Sequence, residues 1–529
     1  MAIPVLWTRR RLLQLSGLAC IGFVQAGAAL AIAVAGSRAL TDAGDPSDRL
    51  WLVGAVVAAT FALILMRVLQ RRFAEAFALG YVTELRVAFM SHVIRIPADS
   101  RQMRQGLVMT RVVNDLSAIK LWLAGGLVSI VVAAATLSAV AAMLAVYQPA
   151  LAIALAIAFA VWCIPVALCL KPLERTIRES RRQRGRIAAR AATVLGARLT
   201  LLGFGRHGAT VRGIEKKSWR LNAALVGRAT YSGFLRSSGD LIFPAVVLSA
   251  IAGRLVFETG LVDAVSLGVL VVMAGLMATH LGAVALGLEY RLAHKVALAR
   301  LQSVMDVPAI DPDAGQRIVR QSGGKSVEVR SLPLDPGARP VTFLAGAGEA
   351  VALDGLAADE AADLVLKLAR LKRTPAGTVF LDGRDATELR ARNWWRDVSV
   401  VSPDLPLIRA SVSANGRLGA RAGIDETERR RVFSRFGLSP EHEAMAVGEG
   451  DMGPGVPSAA LRAARAVLRR SAVVVVADAE LIAQEQMFDA FLDELRLNKA
   501  TVIVATRMPV ALRRRFRTVD LALSPPRAA

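Results

Sequence analysis

The chain is poor in aromatic residues, histidine and cysteine, and each shortage excludes something. Aromatics are 5% of 529 residues, too few to interleave with its bases as an RNA-binding surface requires. Cys20, Cys163 and Cys169 are its three cysteines, all inside apolar runs. Neither a disulfide framework nor a CxxC metal motif follows from them, and no metal site is expected. Acids are scarce as well, 43 against 66 lysines and arginines, for a formal net charge of +23. Such an excess could suit nucleic acid. The bases instead crowd the flanks of apolar segments, the pattern of a chain that meets a bilayer. Lipid is the expected partner and nucleic acid is not.

What the sequence has in quantity is apolar mass: 54% hydrophobic residues and a mean hydropathy of +0.45, mostly Ala, Leu and Val. Six stretches are long enough to cross a bilayer core, which takes about 20 helical residues. They lie near Leu12–Gly36, Leu50–Leu69, Leu123–Val146, Ala150–Leu170, Gly239–Phe257 and Val265–Leu288. Helices are expected because lipid leaves a backbone no hydrogen-bond partner but its own. The start, "TRRRLLQLSGLACIGFVQAGA", is similar to a twin-arginine signal. Its apolar run is longer than such signals carry and five more stretches follow, so it reads as an uncleaved first membrane helix.

Loop charges set the expected orientation. Arg9, Arg10 and Arg11 precede the first span, and Lys171–Arg236 is dense in bases, whereas "TDAGDPSD" and "ETGLVDA" carry acids and no base. The positive-inside rule places both termini and the two long loops in the cytoplasm. Arg71–Pro97 and Leu173–Arg236 keep helical apolar periodicity and are expected to extend the membrane helices into the cytoplasm. After "LQSVMDVPAID" short β-branched runs alternate with helical patterns: "SVEVRSL", "PVTFLA", "AVALDG", "GTVFLDG", "VSVVS", "SAVVVVAD" and "ATVIVAT". That alternation predicts an α/β domain with a largely parallel sheet. The run at 473–476, all valine, suits a strand buried on both faces.

Six spans, two long helical loops and a C-terminal α/β domain resemble a half-transporter of the ABC exporter family. Within the membrane half the resemblance rests on "GLVMTRVVNDLSAIKLWL", with Asn114 and Asp115 matching, on "LLGFGRH" at 201–207, and on "GRLVFETGLVDAVSLG". In the C-terminal half it rests on "GEAVALDG", "GTVFLDGRDATELRARNWWRDVSVVSPD" and "AALRAARAVLRRSAVVVVADAE". The fold this implies is a multidomain membrane protein, an all-α six-helix transmembrane domain followed by an α/β P-loop-NTPase-like domain. The implied boundaries are residues 1–308 for the membrane domain, 309–323 for a linker and 324–529 for the nucleotide-binding domain. The implied setting is a bacterial inner membrane.

The family's reactive positions, carried over one at a time, have lost their chemistry. A phosphate loop needs glycines that turn backbone N–H groups toward phosphate, a lysine, and a hydroxyl for Mg²⁺. Here Gly355 keeps the first glycine; later glycine positions fall on Ala358 and Glu360, the lysine position on Ala361 and the hydroxyl position on Ala362. Four acids, Asp354, Asp359, Glu360 and Asp363, surround the loop. Each carboxylate about 7 Å from a phosphate charge costs about 2 kcal/mol at an effective dielectric near 20, unless it points to solvent. The glutamine-loop position is Pro403, and the signature "GPGVP" keeps only Gly455. At the strand-end acids the metal-binding position falls on Ala477 and the catalytic position on Asp478, a weak candidate base; a one-residue slip exchanges the two. The switch position is Thr506.

Other ionisable groups sit in or beside the spans. His280 and Glu289 are candidates for a substrate path or for helix packing, and Arg67 and Arg254 are placed to snorkel.

The resemblance implies an ABC-type transport ATPase, and the losses imply one that does not hydrolyse ATP alone. Two functions stay open. One is the catalytically impaired half of an exporter, dimerised with a second ABC half-transporter through which alone ATP and Mg²⁺ would be bound. The other is a non-enzymatic membrane adaptor or regulator that retains the exporter scaffold.

Overall fold

Long helices account for the first part of the chain in the computed structural model, which describes residues 3–41, 46–100, 114–147, 149–245, 248, 264–317, 323–334, 339–420, 423–448, 451–452 and 457–521. The chain divides into two compact units, Met1–Ile94 with Gln102–Val307, and Arg95–Arg101 with Pro308–Ala529.

The first unit is helical. Its elements are α1 (Arg9–Thr41), α2 (Pro46–Val93), α3 (Leu116–Leu121), α4 (Val128–Tyr147), α5 (Pro149–Gly196), α6 (Arg198–Gly203), α7 (His207–Ser237) and α8 (Ala264–Met305). A π-helical turn, Trp122–Leu127, joins α3 to α4. Among the described residues five helices are long and apolar enough to span a membrane. They contain five of the six expected stretches. The remaining one, the fifth in chain order, Gly239–Phe257, lies mostly outside the described residues. The long extensions of the membrane stretches are helical as expected: α2 and α5 have 48 residues each, about 72 Å at about 1.5 Å per residue, against an apolar core about 30 Å thick.

Small residues let these helices approach closely, as packing between helices in lipid requires. A Cβ on Gly22 of α1 would stand 2.8 Å from the Val132 carbonyl of α4. The Thr136 hydroxyl donates to the Gly22 carbonyl there at 3.0 Å. Ala26, Ala29 and Ala33 carry the same face into a core with Val140, Leu144, Trp162, Met273, Met277 and Leu281.

In the second unit β1 (Val327–Leu332), β2 (Val341–Ala345), β3 (Ala350–Asp354) and β4 (Val379–Leu381) come first. β5 (Arg384–Asp385), β6 (Val398–Val401), β7 (Ala410–Ser411) and β8 (Ala446–Gly448) follow. β9 (Asp451–Met452), β10 (Val473–Val476), β11 (Thr501–Val504) and β12 (Arg517–Asp520) complete the set. A five-stranded sheet has the order β12-β3-β11-β10-β6 and is parallel throughout. All four valines of β10 are buried, as a strand covered on both faces demands. An antiparallel sheet, β2-β1-β4-β5, stands beside it, so the domain is less purely parallel than the alternating pattern suggests. Its main helices are α9 (Ala358–Leu368), α10 (Ala391–Asp397), α11 (Val412–Arg417), α12 (Glu426–Arg435), α13 (Ser458–Arg469), α14 (Ala479–Ala483) and α15 (Glu485–Leu497). Residues 95–101, just after α2, belong to this unit: the Ala98 N–H donates to the Leu371 carbonyl at 2.8 Å and the Ile310 N–H to the Arg95 carbonyl at 2.8 Å.

Candidate functional site

Parallel strands end at one edge, and loops leaving that edge form the usual ligand crevice of an open α/β sheet. The segments after β3, β6, β10 and β11 all leave there, which brings together Gly355, Pro403, Ala477, Asp478 and Thr506 as loop residues of neighbouring strands.

After β3 the chain turns at Gly355, whose φ of +87° lies in the left-handed region that glycine adopts without strain. α9 begins three residues later at Ala358. The first N–H groups of a helix lack internal partners and carry a partial positive charge, a ready anion site. In this chain the anion is built in. The Glu360 carboxylate folds back and accepts from the Ala357 N–H at 2.8 Å, the glutamate half of a capping box. Ala358 and Asp359 are exposed on the same turn.

The four acids around the loop therefore do not converge on it, and the expectation of a concerted negative lining is corrected. Asp354 accepts from the Gly355 N–H at 3.1 Å and pairs with Arg513 at 2.8 Å. Asp363 is buried one turn further on, paired with Lys367 at 2.7 Å and Lys372 at 2.5 Å. Burial alone would raise its pKa, but the hydrogen bonds from the two lysines prevail and hold the carboxyl below its ordinary range. Only Asp359 and Glu360 oppose a phosphate at the turn. Ala361, where the resemblance places the lysine, is buried in the core beside Leu364 and Val365, and Ala362 is half-buried. The loop holds neither an ammonium nor a hydroxyl.

Pro403 lies exposed in the turn after β6 and has no side-chain amide to reach a metal or water. Asp478 is fully buried at the end of β10. One of its oxygens accepts from the Leu481 N–H at 3.1 Å, capping α14. The other takes the Arg462 Nε at 2.7 Å, and Arg462 also reaches Glu480 at 2.8 Å. Burial works to lower the Arg462 pKa, yet its bonds to the two carboxylates hold it above the ordinary value. The half-buried Ala477 has no polar side chain, and its N–H donates to the Val401 carbonyl at 2.9 Å. Thr506 is half-buried after β11. Gly455 lies outside the described residues, as does Arg254. Among the described residues no three His, Cys, Asp or Glu side chains gather as metal ligands would.

In the helical unit, Glu289 of α8 is 2% exposed and saturated by α7. Arg228 donates to it at 2.7 Å, Ser232 at 2.6 Å and Arg236 at 3.1 Å. It ties two helices together. Sequence reasoning missed its partners, although the spacing 228, 232, 236 marks one helical face. His280 and Arg67 both line a cleft between α1, α2 and α8.

A family model described as "ABC transporter transmembrane region" matches residues 19–284. The chain is 30% identical over 182 residues to the Beta-(1-->2)glucan export ATP-binding/permease protein NdvA of Rhizobium johnstonii, covering 32% of this chain and 31% of that one. It is 25% identical over 510 residues to the Mycobactin import ATP-binding/permease protein IrtA of Mycolicibacterium thermoresistibile, 88% of this chain and 54% of the relative. The match to the ATP-dependent lipid A-core flippase of Escherichia coli K12 is 21% identical and covers 81% and 76%. The chain thus spans about a third to about half the length of the first two relatives. Its fold is that of a bacterial Atm1-family ABC exporter solved with ATP bound, at a TM-score of 0.82 and 17% identity, over 97% of this chain and 93% of that one. Since the family model accounts for half of its residues, the chain belongs to the ABC transporter transmembrane family.

Proposed function

We propose that the chain is the catalytically impaired half of an exporter of the bacterial inner membrane, dimerised with a second ABC half-transporter that drives transport by ATP. In this reading the membrane domain, residues 1–308, has six spans with both termini cytoplasmic. Residues 309–323 link it to a degenerate nucleotide-binding domain, 324–529. The relatives' names, ATP-binding/permease protein and ATP-dependent flippase, support ATP-driven transport.

The observation that carries the impairment is the Glu360 carboxylate on the N–H of Ala357, beside an alanine where a lysine would meet phosphate. The residues present do not fit a bound Mg·ATP: the turn after β3 offers no ammonium and no hydroxyl, and the strand-end carboxylate of Asp478 is held by Arg462 and the α14 cap. No catalytic step is assigned to them. The full commitment of Asp478 to Arg462 and to the α14 cap favours a second reading, a membrane adaptor or regulator without enzymatic activity.

Purified full-length chain, alone and with an intact ABC half-transporter co-purified from its host, separates the readings. Vanadate-sensitive hydrolysis in the mixture and none by the chain alone is the expected result. A stable chain with no ABC partner and no nucleotide binding supports the adaptor. Micromolar Mg·ATP binding with turnover by the chain alone overturns the proposal.

A further inference from the structure

A cleft of about 590 Å³ opens between α5 and α7, lined by Arg186 and Arg190 of the first helix and by Lys217 and Arg220 of the second. The two helices lie side by side: a Cβ on Gly227 of α7 would stand 3.9 Å from the Thr176 methyl of α5. Gln183 is the first residue of the chain on the lining. At about 1.5 Å per residue it stands about 20 Å beyond Leu170, where the apolar stretch of α5 ends. A charged bilayer surface acts over a Debye length of about 8–10 Å. Lipid headgroups therefore do not supply the counter-charge of this cleft.

Its charges do not balance. Among the described residues no carboxylate lines it, and no ion pair or side-chain hydrogen bond reaches any of the four cations. Glu179, one turn before Gln183, is taken by the Gln183 amide at 2.5 Å. Arg186 and Arg190 stand four apart and Lys217 and Arg220 three apart, so each pair shares a helix face and repels. Lys217 is half-buried, which strips water from an ammonium without giving it a partner. Arg182, Arg184 and Arg212 are exposed on the same helices and do not line the cleft. The convergence is thus a matter of placement, not of basic composition alone.

Cations on two helices define what satisfies them. The volume lies in the range of small-molecule sites and exceeds a single phosphate several-fold, so one phosphate cannot meet both walls. A chain of phosphates can. A nucleotide base would need a ring or apolar platform to stack on, and the uncharged lining, Gln183, Ala189 and Thr193, offers none. We propose that this cleft binds a compact polyphosphate, a soluble chain of several phosphates recognised without a base. Arg186 and Arg190 grip it by charge-assisted, bidentate hydrogen bonds, Lys217 and Arg220 meet its other end, and the ligand ties α5 to α7. The site is separate from the crevice at the strand ends and needs no partner subunit, so it stands or falls apart from the exporter reading.

The test is calorimetric titration of the full chain, in phosphatidylcholine nanodiscs without Mg²⁺, with inorganic tripolyphosphate. Saturable binding about tenfold or more tighter than that of orthophosphate is expected, the size of one or two added charged hydrogen bonds. R186Q/R190Q should weaken it about tenfold, whereas R184Q/R212Q, which removes the same charge outside the cleft, should change it less than about twofold. Ala189→Phe fills the cleft without changing charge and should weaken binding as well, which keeps the test sharp if the double variant does not fold. Hydrogen exchange of α5 and α7 around the cleft should slow when tripolyphosphate is bound, because a ligand that binds only the folded state stabilises it. Equal losses in the two double variants, or orthophosphate binding as tightly as tripolyphosphate, overturn the proposal in favour of diffuse attraction to a basic chain. ATP binding about tenfold tighter than tripolyphosphate overturns it in favour of a nucleotide site. Displacement of tripolyphosphate by an oligoglutamate peptide at equal concentration overturns it in favour of an acidic protein segment.

Discussion

Single side chains decide the chemistry of the C-terminal unit. Glu360 gives α9 the negative charge its first turn requires, so Glu360→Ala should destabilise that helix by about 0.5–1 kcal/mol. Hydrogen exchange of α9 in the full chain would read this as faster opening. The same variant should not create Mg·ATP binding, since Ala361 and Ala362 still supply nothing. Asp478→Ala is a harsher change. It leaves the Arg462 guanidinium buried without its main partner, an imbalance that costs about 3–5 kcal/mol, and denaturant unfolding should show it. Were Asp478 a working base, its loss would instead leave stability alone and reduce hydrolysis by a mixed dimer. Asp363 predicts a pH response. Its folded pKa is depressed by Lys367 and Lys372, so the stabilisation is complete above the unfolded value of about 4 and is lost as pH falls through the lower folded value. Protection of α9 should fade below about pH 4 in the wild type, and acidification should change it less in Asp363→Asn.

Whole elements were readable where periodicity and burial agree. β10 announces itself because four adjacent valines suit only a strand covered on both sides, and the extensions of α2 and α5 continue one helical pattern past the lipid-length stretch. The short antiparallel strands were less legible. β5, of two residues, is made by pairing across a turn rather than by any local pattern. Helix contacts were hidden too: nothing local distinguishes Gly22, which packs against α4, from Gly27, which has open space around it. Gly22→Val should therefore be costly, by about 1–3 kcal/mol of overpacking, while Gly27→Ala should be close to neutral. Thermal aggregation of the detergent-solubilised chain measures both. Glu289→Gln at the α7–α8 junction should lower the same midpoint, because two arginines lose their counter-charge.

For the molecule as a whole, the exporter reading expects hydrolysis only in the presence of an intact partner, and substitution of Glu360 or Asp478 in this chain should leave the partner's nucleotide site working as long as the mixed dimer assembles. What the sequence settled by itself was class: apolar runs of bilayer length can only be helices in lipid, and alternating strands and helices imply a parallel sheet. Where the acids went was decided only in three dimensions. Asp354, Asp359, Glu360 and Asp363 crowd ten residues of chain, yet folding sends one to Arg513, leaves one in solvent, turns one onto a helix end and buries one between two lysines. Sequence distance fixes which charges are present, but the partners that neutralise them come from remote positions that only packing brings within hydrogen-bond reach.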